Sequence, residues 1–215
     1  GYFLITAAAF IGAVIVILLL LICSSLLRGR LPLLIAGVMI SFIASSVIAL
    51  LNFHATAQGV RSYMIWGLGD FGGVSTSQIA GYIASLSCGL LLAWLMAKPL
   101  NLMQLGADYA ANLGVRVQFI RTAALLLTGL LTAIVTAFCG PISFIGLAVP
   151  HAARLLLRTA DHRHLIPTSI LWGGVIALFC NVAAYLPSDG SVLPLNALTP
   201  LIGAPVVLLI LFRRK

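Results

Sequence analysis

The chain has 215 residues, of which 62 % are apolar and only 7 % are charged, and its formal net charge is +8. Because about 25 % of the residues in a soluble domain are charged, this composition excludes a soluble globular protein and indicates an integral membrane protein. The basic residues are spread over short gaps between apolar segments, so the net charge does not indicate a nucleic-acid-binding protein.

Seven apolar segments approach the roughly 20 residues that a helix needs to cross about 30 Å of hydrocarbon. They are predicted at 1–22, 31–51, 76–97, 117–138, 141–158, 167–186 and 194–212. Their apolar runs are continuous, whereas the strands of a membrane β-barrel alternate in polarity. The sequence therefore predicts an all-α fold, a polytopic transmembrane helix bundle that forms a single domain over residues 1–215.

The distribution of charge predicts how this bundle is oriented. Eleven of the 12 Lys and Arg residues fall in alternate gaps, and only Arg61 falls on the other side. Since short loops rich in Lys and Arg stay in the cytoplasm, the chain is expected to begin outside and to end in the cytoplasm. Gly1 opens a bare apolar segment outside the membrane, from which we expect that the N-terminal part of a longer protein is missing.

The second segment carries small residues at helical spacing. Gly37, Ser41 and Ser45 recur at i, i+4 and i+8, so they form one stripe along the helix. Such a stripe either lets another helix approach closely or lines a hydrated path, and the spacing alone leaves both interpretations open.

The gap 53–75 is long enough to contain a short helix at the outer interface. It includes Arg61, Tyr63, Trp66 and Asp70. Aromatic residues at this depth commonly anchor the chain at the membrane interface. As an alternative, Arg61 pairs with an acidic residue of a partner protein outside the cell membrane.

The gap between the third and fourth segments is not a flexible linker, because flexible linkers are polar and this gap is half apolar. Two Leu-Gly stops, at Gly106 and Gly114, predict two short cytoplasmic helices. The apolar residues at helical spacing within them are Leu102, Leu105, Tyr109, Ala110 and Leu113. Such helices either dock a cytoplasmic partner or pack only on the membrane interface.

Several residues that could support chemistry are expected to be structural. His151 follows Pro150, which lacks an N–H and interrupts a helix, and it is expected to hydrogen-bond a freed carbonyl rather than to act in catalysis. The run Asp161-His162-Arg163-His164 could hold a metal but is expected to be a solvated turn. The four cysteines show neither a CxxC motif nor a Cys/His ligand spacing, so they are interpreted as core residues.

The acids of the chain are Asp70, Asp108, Asp161 and Asp189. All four fall in loops, so no carboxylate lies where a proton-coupled transporter needs one, and no lysine lies in the last segment to hold retinal. That segment instead contains Asn196 and Thr199, with prolines that make it irregular, and irregular helices are tolerated where they are buried or line a cavity. A passive path for a bulky solute, driven from elsewhere, fits this inventory.

Longer motifs add a resemblance to these patterns. They are Leu100 to Val115, Gly140 to His151, Ala36-Gly37-Val38, Trp66-Gly67-Leu68-Gly69, Asp161-His162-Arg163 and Leu201-Ile202-Gly203-Ala204-Pro205. Taken in chain order, they resemble the motifs of the FecCD family of ABC-transporter permeases, which import iron siderophores, haem and cobalamin. Where many relatives have Glu, this chain has Ala107, so a salt bridge from that position is absent or shifted to Asp108. The family has about ten membrane helices, so seven would be its C-terminal portion.

The resemblance implies a permease subunit of an ATP-driven importer in the bacterial inner membrane, multi-pass and without cofactor, metal or catalytic residue. It would not be an enzyme, because a separate subunit would hydrolyse ATP. Its partners would be a second permease (an identical copy or a close homologue), two cytoplasmic ATPase subunits, an extracytoplasmic solute-binding protein and membrane lipid. The alternative is a membrane channel or scaffold protein with a non-ATPase cytoplasmic partner.

The resemblance also assigns residues to three sites. The ATPase-coupling segment, 99–115, would act through Asn101, Leu102, Leu105, Gly106, Asp108, Tyr109, Ala110, Leu113 and Gly114. The translocation path would be lined by Gly37, Ser41, Ser45, Asn196 and Thr199. The binding protein would dock at Arg61 and Asp70, near the loops 52–75 and 187–193.

Overall fold

The structure, a computed structural model, describes residues 2–27, 30–186 and 193–212. Ten α-helices account for most of these residues. In chain order they are α1 (Tyr2–Leu26), α2 (Arg30–His54), α3 (Ala57–Gly67), α4 (Thr76–Leu95), α5 (Ala97–Gln104), α6 (Ala107–Asn112), α7 (Val117–Cys139), α8 (Ile145–Leu157), α9 (His162–Ala184) and α10 (Leu195–Phe212). The described residues contain no strand, so the prediction of an all-α, polytopic helix bundle is confirmed.

Five of these helices are long and apolar enough to cross a membrane. The stretches that qualify are Ala7–Leu26, Leu31–His54, Thr76–Leu95, Val117–Cys139 and His162–Ala184. Helix α8 has 13 residues and is therefore about 20 Å long, which is shorter than the hydrocarbon core. The number of crossings, predicted as seven, stays a prediction.

The start of α9 differs from the expected boundary. The apolar segment predicts a start at Pro167, but the helix begins at His162. Asp161 caps it, because the Asp161 carboxylate accepts a hydrogen bond from the Arg163 amide at 2.9 Å. A capped first turn satisfies backbone donors that would otherwise be unpaired, so the helix starts before the proline.

Helix α7 lies between α1 and α4 and packs against both, while α8, α9 and α10 pack against one another. Among the described residues, seven of the 14 buried apolar residues are Ala. Small side chains let membrane helices approach closely, and the resulting van der Waals packing stabilises the bundle in lipid, where the hydrophobic effect does not drive helices together. The bundle is therefore held mainly by close backbone contact between its helices.

Helix α2 differs from the other long helices because it packs appreciably against α1 alone. None of the residues in its apolar stretch is buried. In the single chain, an entire apolar helix is thus uncovered on most of its surface.

The three predicted short helices are present. Helix α3 lies in the gap 53–75, and its N-terminus is capped by Thr56, whose hydroxyl accepts a hydrogen bond from the Gly59 amide at 3.2 Å. Helices α5 and α6 end just before Gly106 and Gly114, whose φ angles are +115° and +83°. Glycine adopts these angles readily, which explains why both Leu-Gly pairs end a helix.

Candidate coupling surface, outer junction and path

The two short helices α5 and α6, with the residues that follow them, expose large apolar side chains. Leu105 is 64 % exposed, Tyr109 54 % and Leu113 52 %, and all three lie within nine residues of one another. Exposed apolar groups that cluster in this way mark interaction sites. We name Leu105, Tyr109 and Leu113 the coupling surface.

Other residues assigned to the coupling segment have different surroundings. Ala110 is fully buried, in a helix that contacts α5 and α7, so it packs the segment onto the chain and does not face a partner. Leu102 is half-buried. Asp108 is exposed in the first turn of α6, where a carboxylate complements the positive end of the helix dipole.

A network of polar contacts attaches α5 to the beginning of α9. The Asn101 side-chain amide donates to the Asp161 carboxylate at 2.5 Å, and the His162 backbone amide donates to the Asn101 side-chain oxygen at 2.8 Å. Gln104 Nε2 donates to the Ala160 carbonyl at 2.8 Å and lies 2.8 Å from His162 Nδ1. We name Asn101, Gln104, Ala160, Asp161 and His162 the α5–α9 joint.

The α9 cap and the joint together lower the pKa of Asp161. The hydrogen bond from the Arg163 amide, followed by the one from Asn101, holds the pKa of the Asp161 carboxyl below its ordinary value of 3.8, because both donors favour the charged form. Asp161 is therefore ionised at neutral pH, and it both caps α9 and accepts from α5.

The expectation of a solvated turn at 161–164 was wrong for its first two residues. Asp161 and His162 are bound to α5, and both are half-buried. Their partner Asn101 lies 60 residues earlier in the chain, and no local pattern indicates a contact across that distance. The motif match at 161–163 was the one sequence signal that set this turn apart from an ordinary loop.

On α2, the stripe of small residues is divided between two environments. Gly37 is half-buried and faces Leu20 of α1, while Ser41 and Ser45 are exposed. The Ser41 hydroxyl donates to the Gly37 carbonyl of its own helix at 3.0 Å. Its oxygen remains able to accept, so the exposed part of the stripe is weakly polar.

Of the two α10 residues expected to line a path, Thr199 is buried and Asn196 is half-buried. Thr199 is only 2 % exposed. Asn196 donates to the Gly67 carbonyl at 2.7 Å and to the Pro141 carbonyl, and it accepts from the Ser143 amide at 3.1 Å and the Ser143 hydroxyl at 3.2 Å. Backbone groups that turn away from helices and strands still need partners, and the Asn196 side chain supplies one to the Gly67 carbonyl, the Pro141 carbonyl and the Ser143 amide.

These contacts join Asn196, Gly67, Trp66, Gly69 and residues 139–143, and we name this group the outer junction after the side of the membrane that the charge pattern predicts for it. Gly140 has φ +77° and ψ 176°, and a Cβ atom there would lie 2.6 Å from the Trp66 carbonyl oxygen. The Asp70 amide donates to the Cys139 carbonyl at 2.9 Å. The ends of α3 and α7 and the start of α10 are therefore fixed to one another.

Arg61 and Asp70, the residues assigned to docking outside the membrane, occupy different positions. Arg61 lies exposed on α3. The Asp70 carboxylate accepts from the Gly72 amide at 2.8 Å, within a tight turn after α3. The second docking loop, 187–193, lies outside the described residues except for Leu193.

His151 was expected to hydrogen-bond a carbonyl freed by Pro150, and in the structure it lies against a different helix carbonyl. Its Nδ1 lies 2.8 Å from the Leu147 carbonyl oxygen, one turn earlier in α8. The carbonyl that Pro150 itself leaves without an amide partner belongs to Gly146, so the histidine binds the neighbouring carbonyl.

Comparisons with known proteins agree with the motifs. The model of the FecCD transport family matches residues 1–213. The vitamin B12 import system permease proteins BtuC of Salmonella newport (strain SL254) and Salmonella enteritidis PT4 (strain P125109) are each 35 % identical over 183 residues, which are 84 % of this chain and 55 % of theirs. The chain thus spans about half the length of the curated relatives it matches.

The fold is also similar to that of a solved protein. A metal-chelate type ABC transporter in an inward-facing conformation superimposes with a TM-score of 0.83 and 26 % sequence identity. The match covers 97 % of this chain and 71 % of the other.

Proposed function

The chain belongs to the FecCD transport family, and from this premise we propose that it forms the membrane-embedded permease of an ATP-driven importer in the bacterial inner membrane. The observation that carries the proposal is the family match over 1–213. The fold likeness to an ABC transporter of metal-chelate type supports it.

The uncovered helix α2 supports a second permease as partner. A long apolar helix that packs on one neighbour only gains close packing when another subunit covers it, and small residues favour such contacts. The path would lie at this interface, along the exposed Ser41 and Ser45. Asn196 and Thr199 would contribute to it indirectly, by holding α10 in place.

The coupling surface supports an ATPase subunit as the cytoplasmic partner. Leu105, Tyr109 and Leu113 would insert between the partner's side chains, and closure of two ATPases on ATP would displace α5 and α6. Hydrolysis would be the work of those subunits, and this chain would contribute no covalent chemistry. A change in helix packing would open and close the path.

On the outer side, α3 would be the docking site of a solute-binding protein. Arg61 is exposed there and can pair with an acidic residue of that protein. The cargo would be a metal chelate such as cobalamin, haem or an iron siderophore. The 35 % identity to permeases named for vitamin B12 import supports this chemical class. The small hydroxyls of Ser41 and Ser45 do not distinguish one of these three chelates from the others.

The test is purification of the tagged full-length protein in mild detergent, followed by mass spectrometry and an ATPase assay of what accompanies it. We expect a stoichiometric nucleotide-binding subunit, lost when Leu105→Asp places a charge on the coupling surface. Asn112→Asp, which adds the same charge at an exposed polar position of α6, is the matched control and should retain the subunit. A clean preparation without an ATPase would contradict the proposal and favour a channel or scaffold.

A further inference from the structure

We propose that the α5–α9 joint passes the movement of the coupling helices to α9 and, through α9, to α8 and α10, with Asn101 and Asp161 as its positioning residues. The inference rests on the proposed function, because it assumes that a cytoplasmic ATPase displaces α5 and α6. It adds a route by which that displacement reaches helices to which α5 and α6 are not directly connected along the chain.

The covalent route reaches only part of the bundle. Helix α5 continues from α4 after a single residue, and α6 leads into α7. Helices α8, α9 and α10 form the other packed group, and the chain reaches them only after all of α7. Helix α5 touches this group at α9, where it makes the polar contacts of the joint, and α4 also packs on α9.

The contact is polar and specific. Asn101 uses both ends of its amide, donating to the Asp161 carboxylate and accepting from the His162 backbone amide. Gln104, nearly one turn later, adds a bond to the Ala160 carbonyl. Hydrogen bonds to an ionised group are roughly twice as strong as neutral ones, so displacement of α5 moves the first turn of α9 with it.

Helix α9 is suited to carry this movement across the membrane. It has 23 residues and is therefore about 35 Å long. At its far end Cys180 and Ala184 are buried in one cluster with Leu195, the first residue of α10. Leu195 precedes Asn196 of the outer junction, so a tilt applied at the joint reaches the outer face.

The roles of the two positioning residues can be exchanged. In the native pair, the amide of residue 101 donates to the carboxylate of residue 161. In the double variant Asn101→Asp/Asp161→Asn, the carboxylate accepts from the amide in the opposite direction and still accepts from the His162 backbone. Asparagine also caps helices well, so α9 keeps its start. Asn101→Asp alone places two carboxylates against each other and breaks the joint.

The experiment uses the full-length permease with its ATPase in nanodiscs. Leu186→Cys, just beyond the end of α9 and 74 % exposed, is labelled with a membrane-impermeant maleimide in a background where Cys23 and Cys88 are replaced by Ala. We expect ATP with vanadate to change the labelling rate about fivefold or more. In Asn101→Asp the change should disappear, and the double variant, which keeps the joint, should restore it.

The outcomes separate the two proposals. Absence of an ATPase from the native complex would contradict the proposed function, and with it the inference about the joint. If the ATPase binds, the proposed function stands, and the joint is overturned by any of three results. These are a native complex with no change at residue 186, an Asn101→Asp complex that responds normally, or a double variant that stays unresponsive. Loss of the ATPase in Asn101→Asp alone would also contradict the joint, because it would assign Asn101 to docking.

Discussion

Replacement of Gly140 by Ala should destabilise the chain at the outer junction. Its φ of +77° and ψ of 176° belong to a region that only glycine occupies readily, and a residue with a Cβ atom there costs about 1–3 kcal/mol. The new Cβ would also lie 2.6 Å from the Trp66 carbonyl oxygen and 3.2 Å from the Gly69 Cα, so the backbone around it must shift.

That shift pulls the end of α7 away from the turn after α3. It weakens the Asp70–Cys139 backbone hydrogen bond of 2.9 Å, which is worth about 0.5–1.5 kcal/mol. Adding the conformational cost gives a loss of about 1.5–4.5 kcal/mol in the free energy of unfolding.

The assay is unfolding of the purified full-length protein in mixed micelles with increasing SDS, followed by far-UV circular dichroism. Gly146→Ala is the matched control, because Gly146 lies inside α8 with no heavy atom within 4 Å of the added Cβ. That change should leave stability equal or raise it by about 0.5–1 kcal/mol. Equal stability of the Gly140→Ala and native proteins would refute the reasoning, as would equal losses in the two variants.

Four further results are expected. Asn196→Leu should lower the unfolding free energy by about 2–5 kcal/mol, because several polar groups of the outer junction lose their hydrogen-bond partner and each loss costs about 1–3 kcal/mol. A loss under about 1 kcal/mol in the same SDS titration would be inconsistent with the contacts. Ala110→Glu buries a charge and should destabilise by more than about 3 kcal/mol, whereas Ala111→Glu, its exposed neighbour, should be nearly neutral. Arg61→Glu should weaken docking of the solute-binding protein about tenfold without changing unfolding, and unchanged affinity by surface plasmon resonance would argue against α3 as the docking site. Because the pKa of Asp161 is lowered in the folded state, the ionised carboxylate stabilises the fold fully above pH 3.8, its ordinary pKa. This stabilisation is lost as the pH falls through the lower pKa of the folded state. The unfolding free energies of the native protein and of Asp161→Asn should therefore converge in acid.

Local patterns predicted the helices well because hydrophobic length and helix stops are local properties. The Leu-Gly pairs at 105–106 and 113–114 predicted two short helices, and α5 and α6 end there. The start of α9 was misplaced because the apolar segment begins at residue 167, although Asp161 caps the helix several residues before it.

The site was less predictable, because its contacts join residues far apart in the chain. Asn196 was expected in a path on account of its polarity within an apolar segment. In the structure it satisfies backbone carbonyls 129 and 55 residues earlier. A polar residue in a membrane helix can face a path or can hydrogen-bond backbone groups outside helices. The neighbouring sequence is the same in both cases, so it does not predict which one occurs.

The isolation of α2 bears on how such a protein can change over evolution. At buried positions such as Cys180 and Thr199, substitutions alter folding before they alter function. Ser41 and Ser45 are exposed on a helix with no buried residue in its apolar stretch, and exposed substitutions usually change stability by less than about 0.5 kcal/mol. The face proposed to meet the cargo can therefore diversify with little effect on the folding of the chain that carries it.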